Sequence, residues 1–519
     1  MRPSNTSERL NETQQSARLH YELQHNVQHI RQVLGNSGDL VVREMPVGTN
    51  EQLHAAILYT DGLVDTTSIQ NAIIEALMSE IDQDALEEAI RSDANMLNYL
   101  KNHALAVDRI DETDTFEVLV QSLLSGNVIF MLDGHNRGLY INLSQSEHRA
   151  IMEPAVESVV RGPRESFTES LRTNTALIRR KIKDQNLWLN NRTIGRISKT
   201  EVAVMYLKGI ADDHVVEQVH NRLDKIDIDG ILESGYIEAY IQDSKYSPFP
   251  TIYNTERPDV IAAELLEGKV AILVDGTPFV LVVPALFISF LHSAEDYYQR
   301  ADISSLIRIL RFIGVFISLL APSLYIAITT FHQEMLPTQL LIGLASQREG
   351  IPFPAFIEAL MMEIVFEVLR EAGLRMPRAV GQAVSIVGTL VIGQAAVEAG
   401  IVSAAMVIVV SITAIASFIY PALNMSIAMR MLRFPLMALA ASFGMFGIFL
   451  GLMALLLHLS SLKSFGVPYT APFSPFIPDD LKDTLIRKPL WLMNTRPRLI
   501  SRHNVFRQSK KAPPPAKRK

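Results

Sequence analysis

Charge is distributed very unevenly along this chain, and that imbalance constrains its fold more than any other feature. The first 280 residues mix charged and apolar residues as water-soluble domains do, whereas the second half contains four long stretches free of Asp, Glu, Lys and Arg. A helix needs ~20 mostly apolar residues to cross a bilayer. The four stretches are 312–331, 379–397, 401–429 and 434–462. They predict a soluble region followed by an all-α transmembrane domain.

The soluble half contains one pattern of apolar runs and glycines twice. The first copy opens at 55–62 and closes at 123–134, and the second opens at 202–209 and closes at 265–276. Each opening is typical of a buried strand, and each closing ends in an Asp-Gly turn. Any two α/β segments could share such features, but two matched anchors in the same order favour duplication. We therefore expect an α/β soluble region of two tandem similar subdomains.

These patterns divide the chain into six parts. They are a polar N-terminal segment (1–50), a first α/β subdomain (51–150), a basic helical connector (151–199), a second α/β subdomain (200–285), the transmembrane domain (286–462) and a basic C-terminal tail (463–519). The connector helix either binds phosphate or lipid headgroups or presents a solvated face. The tail approaches anionic lipid of the cytoplasmic leaflet, is a solvated and partly disordered end, or is both.

The number of membrane crossings stays open at this stage. The apolar run 280–291 is too short to span and contains Pro284, so it is expected at the interface or part-way into the bilayer. The amphipathic segment 293–304 would lie along the surface. The arginines around 370–378 and at 430–433 suggest cytoplasmic loops. Five crossings from a cytoplasmic N-terminal region would then leave the basic tail outside. This is avoided if one segment is re-entrant, or if one basic loop violates the preference of such loops for the cytoplasmic side.

The segment 353–373 is long enough to span but carries several acids. A carboxylate at bilayer depth costs at least ~2.5–3.5 kcal/mol, so it should face protein or water. At 100° per residue, Glu363 and Glu367 share one stripe and Glu358 lies on another. An alternative is that Glu367 and its neighbours pair at the headgroup boundary. We take Glu358, Glu363 and Glu367 as candidate pore-facing residues.

Known catalytic signatures do not occur in the sequence. P-loop, zinc-protease and nucleophile-elbow motifs are all missing, and the histidines show no paired ligand spacing. With no cysteine, thiol catalysis, disulfides and Cys-based metal sites are excluded. Basic residues in the soluble half are mixed with acids, which gives no support for nucleic-acid binding. We predict no enzyme activity, no cofactor and no metal site, and the sequence identifies no ligand-binding residues.

Five ordered segments resemble the A-subunit family of GerA-type spore germination receptors. In the soluble half these are Glu-Ser-Phe-Thr-Glu-Ser-Leu-Arg-Thr-Asn-Thr-Ala-Leu-Ile-Arg-Arg at 165–180 and the strand-like run at 202–210. In the second half they are Ser-Ala-Glu-Asp-Tyr-Tyr at 293–298, Arg-Glu-Gly-Ile-Pro-Phe-Pro at 348–354, and Phe-Glu-Val-Leu-Arg-Glu-Ala-Gly at 366–373. The resemblance covers about residues 50 to 500.

This resemblance implies a protein of the spore inner membrane. It implies a transporter-like B subunit and a lipoprotein C subunit as partners, together with a homo-oligomer that forms part of a nutrient-gated, ion-conducting complex. Separately, residues 1–15 are polar, carry acids and have no apolar core, which predicts an N-terminal region in the cytoplasm. A secondary transporter is the alternative from another class, although no inverted repeat is evident among the few spans. A membrane signalling protein is a third possibility, which the missing enzyme motifs disfavour.

Overall fold

The soluble half of this computed structural model consists of two lobes. The structure describes residues 18–47, 53–75, 77, 110–144, 153–154, 157, 159–376, 393–502 and 504–508. Lobe 1 contains α1 (Leu23–Val33), β1 (Leu40–Val47), β2 (Leu53–Thr60), α2 (Thr66–Ile69), β3 (Ile110–Thr113), α3 (Phe116–Leu124), β4 (Asn127–Leu132) and β5 (Gly138–Asn142). Its strands form one antiparallel sheet in the order β1-β2-β4-β5-β3.

Lobe 2 has the same strand order as lobe 1. Its elements are α4 (Leu171–Lys181), β6 (Leu187–Ile194), β7 (Thr200–Leu207), α5 (Asp213–Leu223), α6 (Ser234–Ile241), β8 (Tyr253–Thr255), α7 (Pro258–Leu266), β9 (Val270–Val274) and β10 (Val280–Val283). The sheet order is β6-β7-β9-β10-β8, again antiparallel throughout. Each strand therefore has a counterpart five strands earlier in the chain.

The two Asp-Gly pairs have the same role in both lobes. The Asp133 carboxylate accepts a hydrogen bond of 2.9 Å from the backbone N–H of Leu23, where α1 begins. The Asp275 carboxylate accepts one of 3.0 Å from the backbone N–H of Leu171, where α4 begins. The first N–H groups of a helix have no partner inside the helix, and a carboxylate there also suits the helix dipole. Each pair thus fixes the first helix of its lobe to the sheet.

A buried ion pair joins the two lobes. Arg179, on α4, donates to both carboxylate oxygens of Asp39 at 2.7 and 3.0 Å and to the hydroxyl of Ser37 at 2.8 Å. The side chains of Arg179 and Asp39 are only 2% and 6% exposed. Paired, hydrogen-bonded charges are the form in which buried ions are tolerated. Because Leu171, Leu177 and Ile178 also enter the core of lobe 2, α4 belongs to that lobe.

Two predicted domain boundaries need correction for a common reason. The strand β1 lies inside the predicted polar segment 1–50, and β6 lies inside the predicted connector 151–199. Both are edge strands, and both expose part of their length to solvent. Consecutive polar residues interrupt both strands, Arg43 and Glu44 in β1 and residues 190–193 in β6, so neither has the continuous apolar run that marked the central strands. The apolar run 280–291 was also misplaced, since its first part is β10, buried in the second sheet.

The helical half follows lobe 2. Its helices are α8 (Ala301–Thr330), α9 (Thr338–Arg348), α10 (Ala355–Arg375), α11 (Gly393–Glu398), α12 (Ala404–Ser417) and α13 (Leu423–Ser461). Among the described residues, the helices α8 and α13 are long and apolar enough, by length and composition, to cross a membrane. Most of the expected span 379–397 lies outside the residues that the structure describes. The expected span 401–429 is interrupted, because α12 ends before Pro421, which cannot continue the helix.

The helix α13 reverses direction at Gly444, so the expected span 434–462 is broken. The backbone there has φ 60° and ψ −140°, far from helical values. A Cβ atom on Gly451 would lie 2.4 Å from the Leu436 side chain, although 15 residues of straight helix would separate the two by about 22 Å. Residues 423–443 and 445–461 therefore form a helical hairpin.

Both ends of this hairpin lie beside lobe 2. Met425 shares a hydrophobic core with Tyr253 of β8, and His458 Nε2 lies 2.9 Å from the Ser247 hydroxyl. The hairpin tip instead adjoins the far end of α8, since a Cβ on Gly444 would meet His332. The chain thus enters and leaves the helical half at the same end, and the number of membrane crossings stays a prediction.

The C-terminal segment packs on lobe 2 instead of extending away as a free tail. The Ser501 hydroxyl donates to the Ile210 carbonyl at 2.8 Å, and Arg496 Nε donates to the Leu266 carbonyl at 2.8 Å. Arg507 forms an ion pair of 2.7 Å with Glu267. Up to residue 508, the described part of the tail is thus ordered by contacts with the protein, and a solvated end is not what these residues form.

Candidate site between the apolar helices

Glu358 lies on the first turn of α10 and binds the start of a second helix. Its Oε2 accepts hydrogen bonds from the backbone N–H and the hydroxyl of Ser403, at 3.0 and 2.9 Å. Ser403 is the N-cap of α12, so the carboxylate lies where the helix dipole favours negative charge. Arg348 Nε approaches the other oxygen at 3.5 Å. Glu358 is completely buried, and this contact joins α10 to α12 at the end of the bundle away from lobe 2.

Glu363 forms an ion pair with Arg433 in the middle of the helices. The Arg433 guanidinium on α13 donates to Glu363 and, at 2.7 Å through Nε, to the Ser318 carbonyl of α8. The Arg433 and Glu363 side chains are 1% and 0% exposed. One arginine therefore joins three helices. Breaking such a pair by removing one partner typically costs about 3–5 kcal/mol, because the other charge is left buried and unpaired.

Glu367 pairs with Arg430 one helical turn closer to lobe 2. Its side chain is 30% exposed, against none for Glu358 and Glu363. Near it, Arg370 lies 3.4 Å from the Ser417 hydroxyl and stacks over the Phe418 ring with its guanidinium carbon 4.9 Å from the centroid. The end of α10 is marked by an exposed pair of 2.6 Å between Glu371 and Arg375. Pairing thus continues along the whole helix.

The candidate acids lie on the faces of α10 that the sequence predicted, but their surroundings differ. In the single chain Glu358 and Glu363 face neighbouring helices and have no solvent-exposed surface. That they face a water-filled path therefore stays a prediction about an assembly. Arg430 and Arg433, expected in a loop, instead lie within α13 and face α10. Their three-residue spacing, matched to the four-residue spacing of Glu363 and Glu367, is the signal that could have identified them.

A second charged cluster lies where α8 leaves lobe 2. The Asp296 carboxylate accepts from Arg308 at 3.1 Å and from Arg311 at 2.6 Å, and Arg308 also reaches Asp483 of the C-terminal segment at 2.8 Å. The Tyr297 hydroxyl donates to Asp483 at 2.7 Å. Burial alone would raise the pKa of Asp296, but the hydrogen bond and charge of Arg311, with the charge of Arg308, hold that pKa below its usual range. The cluster ties α8, lobe 2 and the tail together.

The helical half places polar groups inside and apolar groups outside. On α8 the inner face includes Ser304, Arg308 and Ser318, each at most 1% exposed. The outer face is apolar, and its residues with more than 40% exposure are Ile303, Leu306, Ile309, Leu310, Ile313 and Phe316. Soluble monomers rarely expose apolar surface of this extent. Charges that face the bundle interior and pair there are the pattern found within membranes.

Among the described residues, no group of three or more His, Asp or Glu side chains lies close enough together to hold a metal ion. The charged groups between the helices instead pair acid with base. Paired charges of this kind can hold neighbouring helices in register, and they can exchange partners when the helices move. The fold and the site thus define a protein of two duplicated lobes joined to a bundle of apolar helices that encloses paired charges.

Comparison with known proteins identifies the family. A model of the Bacillus/Clostridium GerA spore germination protein family matches residues 28–499. Spore germination protein KA of Bacillus subtilis (strain 168) is 48% identical over 492 residues, which are 95% of this chain and 89% of that protein. The uncharacterized membrane protein YfkQ of the same strain is 46% identical, over 95% of this chain and 94% of its own. The chain belongs to the GerA family of spore germination proteins, as the sequence resemblance indicated.

A further relative agrees with this assignment. Spore germination protein B1 of Bacillus subtilis (strain 168) is 40% identical over 92% of this chain and 96% of that protein. Among solved structures, the N-terminal domain of the A subunit of the Bacillus megaterium spore germinant receptor GerK3 is 42% identical. The match covers 52% of this chain and 98% of that domain, with a TM-score of 0.39.

Proposed function

We propose that this protein is the A subunit of a nutrient-responsive germination receptor in the spore inner membrane. The match of the GerA family to residues 28–499 carries the proposal. In this role the chain acts with a transporter-like B subunit and a lipoprotein C subunit, and it has no enzyme activity of its own. The nutrient is not specified by the described side chains.

The membrane location is supported by the arrangement of the helical half, which has polar groups inside and apolar groups outside. The outer face of α8 is apolar, and the charged pair of Arg433 and Glu363 is enclosed between the helices, which suits a surrounding of lipid. Lobe 2 and the C-terminal segment lie on one side of the bundle, because Arg496 and Ser501 bind lobe 2 directly. We place that side in the cytoplasm, since the tail is rich in Lys and Arg.

We further propose that several copies assemble and that α10 borders the path of ions. The described helices α8, α10, α12 and α13 of one chain pack against one another, so we expect a path wide enough for ions to require more than one copy. Glu367, with 30% of its side chain exposed, is best placed to reach such a path, and rings of carboxylate favour cations. Glu358 and Glu363 hold the neighbouring helices in place, and they reach the path only if their pairs exchange.

Deletion of the gene tests the receptor role. Spores of the deletion strain should fail to respond to one nutrient or nutrient mixture, while vegetative growth and nutrient-independent germination stay normal. Reintroducing the wild-type gene should restore the response. Normal germination to every nutrient, in a strain that carries no parallel receptor, would contradict the proposal.

Ion conduction is tested separately by substituting one acid. Glu367→Gln, in an assembled receptor, should change the rate or the selectivity of ion release, while Glu371→Gln, four residues along the same helix and exposed, should not. Protein levels in the spore membrane serve as the control for both variants. Equal ion release by wild type and Glu367→Gln would remove α10 from the path.

A further inference from the structure

Exposed apolar side chains are concentrated in one short part of the C-terminal segment. Between residues 485 and 492, five of eight side chains are large, apolar and at least 38% exposed: Leu485, Ile486, Leu490, Trp491 and Leu492. Their backbone is held from the inside. Arg487, which lies among them, is only 4% exposed, and its guanidinium donates to the Gln299 carbonyl at 2.8 Å. The apolar side chains are thus displayed outward by a loop with a fixed base.

This loop lies against the first turns of α8. The backbone N–H of Arg487 donates to the Ser305 hydroxyl at 3.1 Å. The next residue along the helix, Leu306, is 59% exposed, and Leu310, one turn further, is 52% exposed. The loop therefore continues the apolar outer face of α8 at the end nearest lobe 2. This is the level at which the lipid headgroups would meet the soluble half.

The residue types of the loop suit that level. Trp491 combines an apolar ring with an N–H donor, and such side chains favour the headgroup region of a bilayer. Lys488 is exposed, and from residue 482 onward the chain has twelve Lys or Arg residues and one acid, Asp483. Basic groups beside a membrane surface are attracted to anionic lipid.

We propose that residues 485–492 form an anchor that inserts into the headgroup layer of an anionic bilayer, on the side of the membrane that carries lobe 2. The inference rests on the proposed membrane location of the helices. Lipid is favoured over a second copy of the chain as the occupant for two reasons. The loop is continuous with the apolar face of α8, and its charge complements anionic lipid.

The anchor also fixes where α8 begins relative to the membrane. Arg487 holds the loop to the residues just before α8, and Asp483, four residues earlier, pairs with Arg308. The depth of the loop in the headgroup layer and the position of the first turns of α8 are therefore set together.

Trp491 reports its own surroundings, because the chain has only two tryptophans. The full-length protein is placed in nanodiscs of anionic lipid brominated near the carbonyl groups, and the emission of Trp491→Phe is subtracted from that of the wild type. We expect the Trp491 emission to be quenched, and quenched less when the bromine lies deep in the acyl chains. Quenching should weaken in neutral lipid.

Two further variants, made in the Trp491→Phe protein, separate the anchor from the membrane location itself. Phe446→Trp, exposed on α13 two residues from the hairpin tip, should be quenched by bromine at one of the two depths. Ile197→Trp, exposed on lobe 2 between β6 and β7, should be quenched by neither lipid. If Phe446→Trp is not quenched, the membrane location fails and the anchor with it.

The remaining outcomes concern the anchor alone. Quenching of Phe446→Trp without quenching of Trp491 would overturn the anchor while preserving the membrane location. In that case the access of aqueous iodide to Trp491 identifies what replaces lipid. Strong iodide quenching means that the loop faces water, and protection from iodide means that another protein surface covers it.

Discussion

Arg430 and Arg433 lie three residues apart on α13 and face Glu367 and Glu363, which lie four residues apart on α10. Residues three or four apart lie about one turn apart on the same face of a helix, so both pairs can form at once. Each pair removes from the apolar bundle a charge that would otherwise be unsatisfied. The position of α10 relative to α13 is therefore determined by which acid pairs with which arginine.

Loss of one acid from the buried pair should be costly. We expect Glu363→Gln to destabilise the protein by about 3–5 kcal/mol, since Arg433 is left buried without its partner. Thermal unfolding of the purified protein in detergent measures the change. Glu371→Gln, at an exposed pair with Arg375, should cost less than about 1 kcal/mol. Equal melting temperatures for the two variants would contradict the structural role of Glu363.

Glu157 gives lobe 2 a pH dependence of predictable sign. Burial raises the pKa of Glu157 to about 7, although the hydrogen bond of 2.5 Å from the Thr255 hydroxyl lowers it. The folded state then holds a proton that the unfolded state releases near pH 4.5, so stability is lost as pH rises from about 4.5 to 7.

The variant Glu157→Gln should remove this loss. It should melt at a higher temperature than the wild type at pH 8 and at a similar temperature at pH 4.5, because an amide cannot ionise. Unfolding temperatures at the two pH values check the sign. A wild type that gains stability relative to the variant between pH 4.5 and 8 would show that folding lowers the pKa of Glu157, which would contradict this account.

At the scale of elements, the hairpin at Gly444 determines where the chain emerges. A side chain at this position would meet His332 at 2.7 Å and Phe331 at 3.0 Å. The positive φ of 60° adds strain for any residue with a Cβ atom. The reversal therefore depends on glycine for both space and backbone conformation.

Replacement of this glycine should disturb the hairpin. We expect Gly444→Ala to lower the melting temperature and the amount of protein recovered in membranes. Gly343→Ala is the matched control, because Gly343 lies in α9 and a Cβ atom added to it would meet no other atom within 4 Å. Alanine also favours a helix over glycine by about 1 kcal/mol. The hairpin would be refuted if Gly444→Ala were as stable as Gly343→Ala.

At the scale of the whole molecule, hydropathy and repeated anchors predicted the two halves and the position of the central strands. They did not predict the edge strands β1 and β6, in which consecutive polar residues interrupt the apolar run. Nor did they predict the reversal at Gly444, because an uncharged stretch has the same composition whether it is straight or folded back. The acids of α10 were identified from their cost in an apolar helix, but their partners come from distant parts of the sequence.

The central claim is that the helical half spans the membrane with the lobes and the C-terminal segment on one side. The natural chain has no cysteine, so single cysteines can be placed at exposed positions and labelled with an impermeant maleimide in sealed vesicles of one orientation. Ser125→Cys in lobe 1 and Ser474→Cys in the C-terminal segment should react from the same side, and Gly343→Cys at the far end should react from the other. Labelling of all three from one side, or of Ser125→Cys and Ser474→Cys from opposite sides, would contradict the account.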